Sequence, residues 1–278
     1  MSTRGLNAAY APNHPAPPSP ALQGQHLYIL TGASRGMGHA MALQLLAPAH
    51  TLLCISRQTS DALAQQAQQK GAHLEQWSQD LADTQEAAER LQRWLQSLHA
   101  SRFESATLIN NAGVIPAIAP LQDVPATELA RALRVGLEAP MALTAAFLHA
   151  TRVWVDSGWQ GERRVLNISS GLGRRAMASQ AAYCAAKAGM DHYTRCLALE
   201  EAQHPAGARV CSLAPGVIDT DMQVQLRAAS ANSFPDVERF VGLKDQGMLS
   251  SPEAAARQVL AYLQRPDFGK EPTADVRS

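Results

Sequence analysis

The chain has 278 residues, 46% of them hydrophobic, and its 24 Lys and Arg balance 24 Asp and Glu for a formal net charge of +0. A neutral balance without a basic tract gives no basis for a nucleic-acid or anionic-membrane partner. No apolar run reaches bilayer length, since the best stretch, 139–155, is interrupted by His149 and Arg152. Residues 1–24 carry Pro12, Pro15, Pro17, Pro18 and Pro20 and lack an apolar signal core. They read as a disordered tail with no export signal, leaving 25–278 as one folded domain. The four cysteines, Cys54, Cys184, Cys196 and Cys211, form no Cys-x-x-Cys. That spacing suits a reducing cytoplasm and neither a disulfide framework nor a zinc site. The nine histidines form no ligand cluster, so no metal is expected.

Short apolar runs at 26–31, 51–55, 72–77, 106–109, 164–168 and 209–213 alternate with longer amphipathic stretches. The runs are too short for helices and read as buried strands. A helix is predicted over 83–98, with Ala87, Leu91, Trp94, Leu95 and Leu98 on one stripe. Asp83 is its expected N-cap, and Glu86 stands at capping-box spacing. A second, Ala-rich helix is predicted over 181–202. This alternation implies an α/β architecture: a doubly wound parallel sheet in three layers, with helices on both faces.

In such sheets ligands gather beyond the carboxyl ends of the strands, and each distinctive motif falls at one. Thr31-Gly32-Ala33-Ser34-Arg35-Gly36-Met37-Gly38 follows the first strand. Glycines there permit a tight turn and close approach of backbone to a pyrophosphate, although the same spacing also occurs in purely structural turns. The second strand ends Cys54-Ile55-Ser56-Arg57, without the carboxylate that would bind a ribose 2′-hydroxyl. Arg57 and Arg35 instead offer cations for a 2′-phosphate, so the cofactor expected is NADP(H). Asp80 with Leu81 ends the third strand, and Asp80 reads as a partner for the adenine amino group or as a helix cap. Asn110-Asn111-Ala112-Gly113 ends the fourth, Ser169-Ser170-Gly171 the fifth and Pro215-Gly216 the sixth. Tyr183 and Lys187 stand four residues apart, a spacing that puts both on one helix face, and Ser170 precedes the tyrosine by thirteen residues. A neighbouring cation is expected to move the phenol down from its ordinary value of about 10 toward the working range.

Together these pieces, spread in order over about 190 residues, resemble the short-chain dehydrogenase/reductase family. The resemblance implies a Rossmann fold and an NADP(H)-dependent oxidoreductase. It makes Tyr183 the proton donor in reduction, Ser170 the holder of the substrate oxygen, and Lys187 the group that tunes the tyrosine and contacts the nicotinamide ribose. It implies cofactor contacts at Gly32, Ser34, Arg35, Gly36, Met37, Gly38, Ser56, Arg57, Asp80, Leu81, Asn110, Ala112, Gly113, Tyr183, Lys187, Pro215, Ile218 and Thr220. The family usually carries an asparagine where Val135-Gly136-Leu137 has Gly136. Glycine keeps that residue's carbonyl and loses its side-chain brace, which predicts a less rigid proton relay behind Lys187.

The stretches 197–201, 214–223 and 243–249 are similar to those of sepiapterin reductases and related bacterial benzil reductases. That similarity implies reduction of a 1,2-diketone, with Ser170, Gly171, Gly216 and Met222 near the substrate. Asp275 matches the spacing of a pterin-anchoring aspartate, but reads more readily as a solvated residue of a terminal strand. Met222, Trp159 and the 234–240 segment are candidates for an apolar pocket, and 219–246 reads as a flap over it. The implied partners are a small carbonyl substrate and further copies of the chain, in a dimer or tetramer. The alternatives are a catalytically silent NADP(H)-sensing protein on the same fold, which usually lacks the Tyr or the Lys that this chain keeps, and an NAD-dependent alcohol dehydrogenase working oxidatively.

Overall fold

The structure, a computed structural model, describes residues 24–277. The Pro-rich tail expected over 1–24 therefore lies outside the described residues, Gly24 excepted. Seven strands form one sheet: β1 (Gln25–Thr31), β2 (His50–Ser56), β3 (His73–Ser78), β4 (Phe103–Asn110), β5 (Glu162–Ile168), β6 (Arg209–Ala214) and β7 (Thr273–Asp275). Their order is β3-β2-β1-β4-β5-β6-β7 and every pairing is parallel. The chain thus runs outward in one direction from β1 to β3 and returns to β4 beside β1. That reversal opens a crevice at the carboxyl ends of β1 and β4.

Alternation of side chains along the strands supplies two cores. Tyr28 and Leu30 of β1 face one of them, shared with α1 (Gly36–Leu45), α2 (Asp61–Lys70) and α9 (Pro252–Leu263) through Met41, Leu45, Leu63, Val259 and Leu263. Leu27 and Ile29 face the other, shared with α3 (Thr84–Ser97), α5 (Ala139–Asp156) and α6 (Ala181–Glu201) through Leu91, Leu95, Phe147 and Leu197. This is the expected three-layer arrangement. The runs read as strands are strands, five of them a residue or more longer than predicted and the third, at His73–Ser78, shifted by one residue at the same length. The helix predicted at 83–98 spans Thr84–Ser97 with Ala87, Leu91 and Leu95 buried. Its capping box does not form: Asp83 makes no side-chain cap bond. Thr84 Oγ1 instead donates to Leu81 O at 3.1 Å, closing the turn from the helix side.

Three further helices are short. α4 (Ala126–Leu133) runs into a π-helical turn at Arg134–Glu138 before α5 begins. α7 (Asp221–Ala228) and α8 (Val237–Asp245) form the flap segment, which has its own small core of Leu226, Phe234, Val237 and Phe240.

Gly136 is buried inside the π-turn, and a Cβ placed on it would lie 3.1 Å from the Ala186 Cβ of α6. The glycine is therefore a packing residue as well as a missing brace: it brings the π-turn close to the residue before Lys187. An asparagine there has to displace α6. Gly136→Asn is expected to destabilise the fold by about 1–3 kcal/mol in urea melts, the usual cost of overpacking. Adding Ala186→Gly is expected to recover at least about 0.5 kcal/mol beyond additivity, because the two side chains share one contact.

Candidate active site

A cleft of about 1180 Å³ runs along the carboxyl ends of the strands. Its floor is built from main chain held by three side chains, Thr31, Asn111 and Ser56. Thr31 Oγ1 accepts from the Asn111 and Ala112 amides at 2.9 and 3.0 Å. Asn111 Nδ2 donates to the carbonyls of Thr31 and Gly32 at 3.0 and 3.2 Å. The ends of β1 and β4 are thereby stitched together. The Ala33 amide donates to Ser56 Oγ at 2.8 Å, which ties the loop to β2.

The glycines of the loop are there for space and conformation. Gly32 and Gly36 have φ of 71° and 54°, the left-handed region that side chains disfavour. A Cβ on Gly38 would sit 2.1 Å from the Gly32 carbonyl oxygen, a distance no packing adjustment can absorb. α1 begins at Gly36, so its unpaired first-turn amides open onto the cleft. This cradle suits a pyrophosphate. The residues expected at a dinucleotide, from Gly32, Ser34, Arg35, Gly36, Met37 and Gly38 through Ser56, Arg57, Asp80, Leu81, Ala112 and Gly113 to Pro215, Ile218 and Thr220, all line it.

Asn110 is an exception and corrects the sequence-based expectation. It is 1% exposed and its side chain turns below the cleft, where Nδ2 donates to Asn167 Oδ1 at 2.9 Å and Thr144 Oγ1 at 3.1 Å. Asn167 in turn donates to Thr194 Oγ1 at 2.9 Å. Period-two alternation places consecutive strand-end residues on opposite sides, so of the two asparagines it is Asn111 that borders the cleft.

Ser170, Tyr183 and Lys187 converge at the middle of the cleft. Ser170 caps a short 3-10 turn after β5, accepting from the Leu172 amide at 3.1 Å, and its hydroxyl lies on the side of the Tyr183 phenol, where it favours the phenolate. Lys187 is 4% exposed and donates to Ile168 O at 2.6 Å. Its Nζ lies 5.8 Å from the centre of the Tyr183 ring. The expected lowering of the phenol by this cation is not what the environment produces. Burial raises the Tyr183 phenol above its ordinary value, and the Ser170 hydroxyl opposes this only in part. Burial pulls the Lys187 ammonium down to about 8, against the Asp191 carboxylate, which raises it. Asp191, itself 2% exposed, accepts from Arg174 Nε at 2.9 Å and Ser212 Oγ at 2.6 Å.

At the far end, Asp80 accepts from Arg131 Nη2 at 2.8 Å and from the Ala82 amide at 2.9 Å. Burial opposes ionisation of Asp80, but the amide and the charges of Arg131 and Arg57 outweigh it and hold the carboxyl below its ordinary range. Arg131 lies on α4 and borders the cleft. No motif in the sequence singled it out, because only the fold brings it to Asp80. Arg35 Nη1 pairs with Asp221 Oδ2 at 3.0 Å, bridging the glycine loop to α7 with both side chains about two-thirds exposed.

The remaining substrate candidates divide. Gly171, Gly216 and Met222 line the cleft, as do Phe240 and Met177. Asp275 does not: it sits in β7 against Ala214 and pairs with Arg277 Nη2 at 2.6 Å, while Val276 and Arg277 are the residues that border the cleft. Trp159 is far from it, stacked edge-on to Trp154 with its indole N–H donating to Phe103 O at 2.6 Å.

Lys187 makes the site titratable. Between about 8 and the ordinary lysine value of 10.5, the unfolded chain holds a proton that the folded chain has lost. Stability from this group therefore rises with pH through that window. Lys187→Met has no ammonium to titrate there, while the cysteines and tyrosines are common to both proteins. Urea melts are expected to show the wild type gaining about 3 kcal/mol on Lys187→Met between the two ends of the window.

Residues 26–231 match the short chain dehydrogenase family profile. The chain is 34% identical over 240 residues to benzil reductase ((S)-benzoin forming) of Bacillus cereus, covering 86% of this chain and 94% of that protein. It is 32% identical over 252 residues to sepiapterin reductase of Xenopus tropicalis, covering 87% and 92%. A solved structure of a Beutenbergia cavernae protein, with bound NADP at low occupancy, is 27% identical with a TM-score of 0.73, covering 92% of this chain and 96% of that one. The profile takes in the glycine loop, the Asn111 stitch and the Ser170, Tyr183 and Lys187 cluster, and the chain belongs to the short-chain dehydrogenase/reductase family of oxidoreductases.

Proposed function

We propose that this protein uses NADPH to reduce a carbonyl, specifically one carbonyl of a 1,2-diketone, to an alcohol. The observation that carries the reading is the convergence of Ser170, Tyr183 and the buried Lys187 ammonium in one cleft, whose other end has a glycine-built floor suited to a dinucleotide. The cofactor, when bound, supplies the hydride. The Ser170 hydroxyl orients the substrate oxygen, and Tyr183 delivers the proton to it as the C–H bond forms. A phenol raised by burial keeps its proton at neutral pH, the form in which a reduction begins. Adjacent carbonyls withdraw electrons from each other and accept hydride readily, and the names of the relatives point to the same substrate class.

The choice of NADP(H) rests on β2, which ends in Ser56 and Arg57 without a carboxylate. Arg57 is exposed at the cleft, and Arg35 can exchange its solvent-facing pair with Asp221 for a phosphate. We read 25–278 as one catalytic domain. Exposed Met141, Val153 and Leu199 on α5 and α6 support pairing of copies in a dimer or tetramer, and the free cysteines support a cytoplasmic setting.

NADPH absorbance is expected to fall when benzil or 1-phenyl-1,2-propanedione is added. Tyr183→Phe should lower kcat/KM by about 10²–10⁴-fold, the usual share of a positioned proton donor. No turnover across a broad carbonyl panel, with NADPH binding intact, would overturn the reductase reading. Arg57→Ala should raise KM for NADPH about tenfold or more and leave KM for NADH unchanged, since one charge-assisted bond is lost only with the 2′-phosphate. A native preference for NADH would refute the role given to Arg57.

A further inference from the structure

Asp80 and Arg131 meet at the far end of the cleft, one from the turn after β3 and the other from α4, and both line it. The aspartate is fixed from behind. The Gln79 amide donates to Ser56 O at 2.8 Å, joining the ends of β3 and β2, and the Asp83 amide donates to Asp80 O at 3.2 Å. Asp80 Oδ1 accepts from the Ala82 amide at 2.9 Å, and Oδ2 accepts from Arg131 Nη2 at 2.8 Å. The arginine is fixed by its helix, which continues into the π-turn that lies against Ala186. Neither side chain is closed off: Arg131 is 40% exposed and Asp80 34%. Leu81, beside Asp80, and Val135, one turn beyond Arg131, also line the cleft and are each 5% exposed. An open acceptor and an open donor thus stand side by side, flanked in sequence by apolar side chains that face the same cleft.

An ion pair this exposed adds little to stability, but its chemistry matches the edge of an adenine. Adenine presents an amino donor beside a ring-nitrogen acceptor, which is why a carboxamide, also acceptor beside donor, reads it bidentately. A carboxylate oxygen keeps a second lone pair and a guanidinium further N–H donors after the two have bonded to each other. We propose that Arg131 is a base-reading residue: beside Asp80, it selects adenine in the cofactor by donating to a ring nitrogen while Asp80 accepts from the amino group. Hypoxanthine carries a carbonyl oxygen in place of that amino group, turns an acceptor toward the carboxylate, and is rejected. The inference rests on the NADP(H) reading and adds to it a residue whose task Arg57 does not share. Arg57 answers the 2′-phosphate, and Arg131 answers the base.

The test titrates NADPH, NADH and the hypoxanthine counterpart of each, through the change in nicotinamide fluorescence on binding, with no substrate present. Wild type is expected to bind NADPH about tenfold or more tightly than its hypoxanthine counterpart, the usual loss for one charge-assisted hydrogen bond. Arg131→Met should shrink that ratio to about threefold or less and leave the ratio of NADPH to NADH unchanged, while Arg57→Ala should do the reverse. An unchanged thermal midpoint marks a folded variant, and Arg131→Ala serves if the methionine variant fails to fold. A base preference that survives in the Arg131 variant overturns this inference, as does a wild type that binds the adenine and hypoxanthine forms equally. A loss confined to the preference for NADPH over NADH assigns Arg131 to the 2′-phosphate and overturns it too. Absence of binding by every dinucleotide overturns the cofactor reading and this inference with it. Because no turnover is measured, failure of the carbonyl-reduction reading leaves the result intact.

Discussion

One buried bond sets the geometry of the proposed catalytic centre: Lys187 Nζ to Ile168 O, 2.6 Å long. Ile168 ends β5, and Ser170 follows two residues later. Lys187 lies one turn beyond Tyr183 on α6. Joining the two fixes how far the helix stands from the strand end, and therefore where the phenol meets the serine hydroxyl. An ammonium is expensive to bury, and the cost shows in a side chain drawn down to about 8. The fold tolerates it because Asp191, one turn further along, supplies a buried countercharge. That carboxylate is itself held by Arg174 and Ser212, and Arg174 reaches on to Ala274 O at 2.9 Å. The loop after Ser170, α6, β6 and β7 are thus braced by one network, centred on the Arg174–Asp191 pair at 2.9 Å.

The dinucleotide end of the cleft depends on the opposite tactic, the removal of side chains. Gly38 and Gly32 let main chain approach main chain at distances that no Cβ permits, and Asn111 then fastens the gap from β4. Gly136 does the same for helices, allowing the π-turn to lie against Ala186. Position by position, the site is made of close contacts that small residues allow and of a few long side chains that bridge them.

The substrate wall is more independent. The flap carries its own apolar core around Phe234 and Phe240, and Asp219 pairs there with Lys244 at 2.5 Å and Arg227 at 3.7 Å. Changes in this segment leave the two cores of the sheet untouched. Substrate choice can therefore vary while the chemistry of Tyr183 stays constant, as expected when specificity is built on connecting segments over a rigid scaffold.

Much of this was legible in the residues alone, and the legible part is local. Apolar runs of strand length, glycines at Gly32, Gly36 and Gly38, and the four-residue interval from Tyr183 to Lys187 are properties of neighbouring positions. They determined the fold class and brought the glycine loop and the proposed catalytic residues into view. Tertiary structure decided whatever depends on distant partners. Asn110 went below the cleft and Asn111 bordered it, because strand alternation and the Thr144 and Asn167 partners settle which way each turns. Asp80 met Arg131, 51 residues away, and Trp159 joined Trp154 in the core instead of a pocket. The direction in which Tyr183 titrates was also a tertiary matter. Spacing to a lysine promised a lowered phenol, but burial depends on everything packed around the ring and reversed the sign.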